Sequence, residues 1–239
     1  SSGSGEPPAE RPRFVVVGGT PGGGGDDGDS DGGDVVVGGG ALGLLMGVRG
    51  TLVRQALEWC KDRSWEVRIP VLLYFSWVVF HHWGNIEYTS LLGGLNLGIH
   101  EAGHILFRPL GHFMTIAGGT ILQCLAPFFA MIMFYKQRDF FAIAFCFGWL
   151  STNFFHCATY ANDARGQLNL VLVSPWGQGF GADGMGEWSQ MLRQLGMLEW
   201  DTTIAFSLRV AANLSMATCF AFSGWLMWQM YKSRRASSA

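Results

Sequence analysis

The sequence predicts an all-α, polytopic membrane helix bundle of four or five spans behind a disordered Gly/Asp-rich N-terminus. Three observations carry this. Charged residues make up only 14% of the 239, where a soluble domain carries about 25%. Mean hydropathy is +0.22 even with a very polar N-terminus in the average. Residues 113–135, 140–162 and 210–231 contain no Asp, Glu, Lys or Arg, and about 20 apolar residues suffice to cross a bilayer.

Residues 1–50 are a different material from the rest. They hold 17 of the 34 glycines and the acidic run Asp26-Asp27-Gly28-Asp29-Ser30-Asp31. Such a segment cannot bury enough apolar surface to offset its ordering entropy, so it reads as disordered. Residues 51–68 read as an interfacial amphipathic helix, with Leu52, Leu57 and Trp59 apolar and Arg54, Lys61, Arg63 and Arg68 basic. The membrane-embedded domain is expected over 69–239. It opens with an 18-residue run, 69–86, with no acidic or basic residue other than His81 and His82.

A second apolar helix, about 91–107, ends at Arg108-Pro109. Residues 136–139 read as a polar turn between two spans, and 163–202 as an extramembrane loop with a short helix near 188–197. Counting the 91–107 helix as a full span gives five crossings. Counting it as re-entrant gives four and places ten basic residues on one side and Arg108, Arg165, Arg193 and Arg209 on the other. The positive-inside rule favours that arrangement, with both termini cytoplasmic. Cys60, Cys124, Cys146, Cys157 and Cys219 show no Cys-x-x-Cys spacing and read as small core residues. No basic block points to nucleic acid; the expected partners are the lipid bilayer and a membrane-protein or peptide substrate.

The 91–107 helix carries His100-Glu101-Ala102-Gly103-His104. Positions i and i+4 share a helix face, so both imidazoles can reach one metal ion, and Glu101 stands about 60° round the helix from His104. Two imidazole ligands and a carboxylate that activates water are the working parts of a zinc hydrolase, and Zn2+ is the expected cofactor. Ionisable groups beside an apolar segment are costly and point to function. A catalytic zinc takes a third protein ligand. The soluble metzincin continuation is absent, since Phe107 and Leu110 stand where its Gly and third His would be. Asn153, His156, Tyr160 and Asp163 form one polar stripe at i, i+3, i+7 and i+10. Asp163 is the expected third ligand and His156 the alternative. Asn153 and Tyr160 are expected to support the ligands.

The His-Glu-x-x-His motif in an apolar helix, with an Asp after a later one, resembles the site-two family of intramembrane zinc metalloproteases. The resemblance implies His100, His104 and Asp163 as ligands and Glu101 as general base. Where that family carries Asn-Pro and Leu-Asp-Gly, this chain has Asn162-Asp163-Ala164-Arg165. The pairing of the motif with Tyr160-x-x-Asp163-Ala164-Arg165-x-Gln167 is also similar to a group of uncharacterised bacterial membrane proteins. Two other readings stay open. One is a non-enzymatic membrane protein with a structural metal or polar cluster. The other is a di-iron membrane oxidase using His81, His82, His112 and His156 as well.

Overall fold

The computed structural model describes residues 41–166 and 186–237. The stretch 1–40, which holds most of the expected disordered segment, lies outside them. Among the described residues the chain is all-helical with no strand.

The first helix, α1, runs Ala41–Cys60. It begins ten residues before the expected boundary, because apolar residues from Ala41 onward continue the helix behind the glycines. Ala56 and Cys60 bury against Phe140, Leu226 and Met230. After a turn in which Asp62 takes a positive φ of 58°, a single 3-10 turn at Glu66–Arg68 leads into α2, Ile69–Gly84. Pro70 sits in the first turn of α2, where its missing N–H costs nothing. Phe75 and Val78 are its buried residues. The 18-residue run thus yields a 16-residue helix, about 24 Å long. Gly84 and the extended Asn85 end it.

The helix α3, Gly93–Phe107, carries the motif. It lies against α4, His112–Lys136, at glycine-to-glycine contact. A Cβ on Gly103 would strike the carbonyl of Gly118, and one on Gly118 would come 2.6 Å from the carbonyl of Gly103. Only bare backbones approach this closely. The outer side of α3 is apolar and open, with Leu95, Ile105 and Leu106 exposed.

Residues 137–139 form the expected polar turn. Arg138 takes φ 57°, and the Asp139 carboxylate accepts from the Ala142 N–H at 3.1 Å, an N-cap for α5. This fifth helix, Phe140–Asn162, is central, and more than half of its residues are buried. Gly148 makes room for the Phe75 ring. Two short helical pieces follow: α6, Glu187–Gln194, and a 3-10 turn at Leu198–Trp200. The last helix, α7, is Asp201–Ser237, 37 residues long, and takes in the expected final span. Arg165 and Asp201 join the end of α5 to the start of α7 through paired contacts of 2.6 and 2.7 Å, with the Asp201 side chain fully buried.

Among the described residues three helices are long and apolar enough to cross a membrane: His112–Lys136, Phe140–Asn162 and the stretch Leu198–Ala236. The first apolar run falls short of that length.

Candidate metal centre

Pro127 lies inside α4. A proline has no N–H to give to the carbonyl four residues earlier. That carbonyl belongs to Gln123, and Asn153 of α5 donates to it through Nδ2 at 2.9 Å. The exchange ties α4 to α5 at a fully buried residue, with Gln123 only 1% exposed. The Gln123 side chain then reaches to both sides. Its Nε2 donates to His156 Nδ1 at 3.3 Å, and its Oε1 stands 3.0 Å from His100 Nδ1. His104 Nδ1 stands 2.7 Å from the carbonyl of Thr115, one turn into α4.

Both acceptors are oxygens, so both Nδ1 atoms donate. The lone pair of each neutral imidazole is therefore left on Nε2. A hydrogen-bonded acceptor behind each ring is the usual way a protein fixes the tautomer of a metal-ligating histidine.

The two Nε2 atoms face one carboxylate. Glu187, the first residue of α6, places Oε2 3.0 Å from His100 Nε2 and Oε1 2.9 Å from His104 Nε2. These separations suit donors arranged around one ion, since ligand atoms about 2.0 to 2.1 Å from a tetrahedral zinc lie somewhat over 3 Å apart. His100, His104 and Glu187 form the one such group of three or more among the described residues. Their side chains are 15%, 19% and 36% exposed, so the cluster is accessible from one side.

His104 Nε2 is buried, with the Glu187 oxygen beside it at 2.9 Å. Opposite, Gly119 presents a bare Cα: a Cβ there would stand 2.6 Å from His100 Nε2 and 2.7 Å from His104 Nε2. Without an ion, charge is redistributed in the cluster. Burial pushes the Glu187 carboxyl up, and the hydrogen bonds to His100 and His104 more than reverse this, holding it at about 2. The Glu187 hydrogen bond chiefly, against burial, raises His104 to about 9. A proton thus takes the place where a cation would balance Glu187.

Of the expected site residues, the structure brings His100 and His104 together as read. Glu101 follows on the same helix, half-buried, and its charge acts on His104. Asp163 is not in the donor group. It is the C-cap residue of α5, and its carbonyl accepts from Gly166 N–H at 2.8 Å. Glu187 stands where Asp163 was expected, because α6 folds back over the start of α4. There Met191 packs with Ile116 and Ala117, and Trp188 packs against the same cluster. His156 reaches the site only through Gln123, and Tyr160 packs on His156 with ring centres 4.7 Å apart. Asn153 supports Gln123, as described. His81 is bonded within its own helix to the Trp77 carbonyl, His82 stacks on Phe155, and His112 is exposed at the start of α4.

Sequence reading missed Gln123, Thr115 and Glu187. Gln123 had a signal: it is the one side-chain amide in the uncharged run 113–135, four residues before a proline. The Thr115 contact is through backbone and leaves no trace in residue type. Comparison of the chain with family models, with curated proteins and with solved structures gives no match, so the chemistry rests on this cluster alone.

Proposed function

We propose that the chain is an intramembrane zinc-dependent hydrolase acting on a peptide bond. The observation that carries this is the convergence of His100 Nε2, His104 Nε2 and the Glu187 carboxylate, with both Nδ1 atoms already engaged by Gln123 and Thr115. Two histidines and a glutamate are a known zinc-hydrolase donor set. A zinc ion held there supplies Lewis acidity and lowers the pKa of a water toward about 7. The rest falls to the chain. Gln123 and Thr115 hold the imidazoles in the ligating tautomer. Glu101 takes the proton from the water and passes it to the leaving amine. Gly119 keeps the floor of the site open.

Three donors also favour hydrolysis over a structural metal. Structural zinc closes with four protein ligands, and a catalytic site keeps one position open. Among the described residues no fourth donor joins the group, His156 included.

In this reading α4, α5 and α7 cross the bilayer. The first apolar helix, α2, crosses with local thinning, since about 24 Å falls short of the roughly 30 Å hydrocarbon core. At 15 residues, or about 22 Å, α3 enters without crossing. Both termini are then cytoplasmic by the distribution of Lys and Arg. The site lies near Gly119, about 10 Å in from the first residue of α4, on the side away from the basic turn. A membrane-associated peptide segment is the substrate class that reaches it.

The test is metal content of detergent-purified protein with a parallel peptidase assay. One zinc per chain, lost with His100→Ala, His104→Ala and Glu187→Ala, is expected. Glu101→Gln should keep the zinc and lose hydrolysis. Wild-type protein that takes up no zinc would refute the reading.

A further inference from the structure

A second site lies at the other end of the bundle. A groove of about 560 Å³ runs between the start of α2, the start of α3, the end of α4 and one face of α5. Its floor is Ala142, Phe145 and Trp149, an i, i+3, i+7 stripe on α5. Leu95 and Phe134 form its walls. Leu95 is half exposed, so the groove opens sideways through the outer surface of the bundle. The far end is closed by polar contacts: Trp149 Nε1 donates to Asn96 Oδ1 at 2.6 Å, and Asn96 Nδ2 to Thr152 at 3.4 Å.

The near end holds a cation. The Arg68 guanidinium lies 5.2 Å over the Trp59 ring and 5.3 Å over the Phe141 ring. One of its nitrogens donates to the Ser64 carbonyl. Its Nε is buried and makes no hydrogen bond, an exception among buried polar groups that calls for a partner. Arg63 shares the same Trp59 ring at 4.5 Å, so two like charges stand close together. Asp139 also lines the groove and its charge acts on Arg68, but its carboxylate caps α5 and makes no direct ion pair with the guanidinium. The Arg68 Nε–H therefore lacks an acceptor at the mouth of an apolar channel.

We propose that this groove binds an anionic phospholipid of the cytoplasmic leaflet, with its phosphate at Arg68 and an acyl chain along α5. The phosphodiester supplies acceptors for the free Nε–H, and its single negative charge offsets the repulsion between Arg63 and Arg68. The apolar floor takes the chain, and the lateral opening lets its remainder pass back into the bilayer. The surroundings suit this occupant over a soluble anion. Lys136 and Arg138 precede Asp139 in the turn, and Lys232, Arg234 and Arg235 lie in the last turns of α7, the basic belt that anionic headgroups gather around. The site is independent of the metal centre.

The test uses the full chain in a neutral detergent. Short-chain phosphatidylglycerol, phosphatidylcholine with the same chains, and inorganic phosphate are compared by thermal shift, with native mass spectrometry to count retained lipid. Phosphatidylglycerol should raise Tm and be retained at one per chain, with the other two near baseline. Arg68→Gln should weaken phosphatidylglycerol binding by roughly tenfold or more, the effect of losing charge-assisted hydrogen bonds. Ala142→Phe, which fills the floor, should abolish retention while leaving metal content at the wild-type value. Should Arg68→Gln not fold, Ala142→Phe alone decides. Equal shifts from both lipids, a full shift from phosphate alone, or unchanged retention in the folded variants would overturn the proposal.

Discussion

Gly119→Ala tests the metal site through a single carbon atom. The added Cβ would stand 2.6 Å from His100 Nε2 and 2.7 Å from His104 Nε2, where ordinary contact begins at 3.4 Å. Each ring must therefore retreat by about 0.7 to 0.8 Å, several times the roughly 0.2 Å tolerance of a metal–ligand distance. Keeping the metal means keeping the rings in place and accepting overpacking of about 1 to 3 kcal/mol. That predicts zinc affinity about 5- to 150-fold weaker. Competition with a chelator of known affinity reads this directly, with circular dichroism as the check on folding. Gly98→Ala is the matched control: it lies on the motif helix with nothing within 4 Å of its Cβ. A methyl there should leave zinc affinity unchanged and stabilise the helix by about 0.5 to 1 kcal/mol. Wild-type zinc affinity in Gly119→Ala would mean that the ion does not lie between the two Nε2 atoms.

Other consequences are as accessible. Glu187→Ala should strip zinc from the purified protein while Asp163→Ala keeps it; the opposite result would return Asp163 to the site. Gln123→Leu frees His100 Nδ1 and should cost about 10- to 100-fold in metal affinity, with Gln123→Glu restoring much of it, as measured by zinc titration. The metal-free protein should be most stable between about pH 4.5 and 6.5. Glu187 is depressed to about 2, so its contribution is full above 4.5 and lost as pH falls toward that value. His104 is raised to about 9, so its contribution is full below 6.5 and lost as pH rises through 9. Thermal melts across pH without metal check this. Zinc uptake should release a proton from the cluster over the same upper window, measurable in weakly buffered solution.

Much of the fold was legible because long charge-free runs leave few alternatives to a helix. Charge-free runs gave α4 and α5 with almost correct bounds, and the Lys136-to-Asp139 turn showed in four polar residues. The short helix near Trp188 was also visible, as α6. Boundaries failed where a local signal outweighed periodicity. Three glycines hid the start of α1, while Asp201 and Arg209 masked nine helical residues at the start of α7. In the site, the two histidines were fixed by helix spacing alone. The Glu187 carboxylate beside them was not, because its place depends on how α6 folds back on Ile116 and Ala117, and no spacing rule encodes that return. Gly103, Gly118 and Gly119 are explained only by the contact that they allow.

The Arg165–Asp201 pair bears on how the proposed zinc site would reload. Its partners are 36 positions apart in sequence, and Glu187 lies between them. Closing that stretch at its base turns delivery of the third carboxylate into an intramolecular event at high effective concentration. In the proposed zinc site, a cluster that lost its ion would keep all three donors at hand, and the next ion would meet a waiting site instead of a chain that must first be gathered.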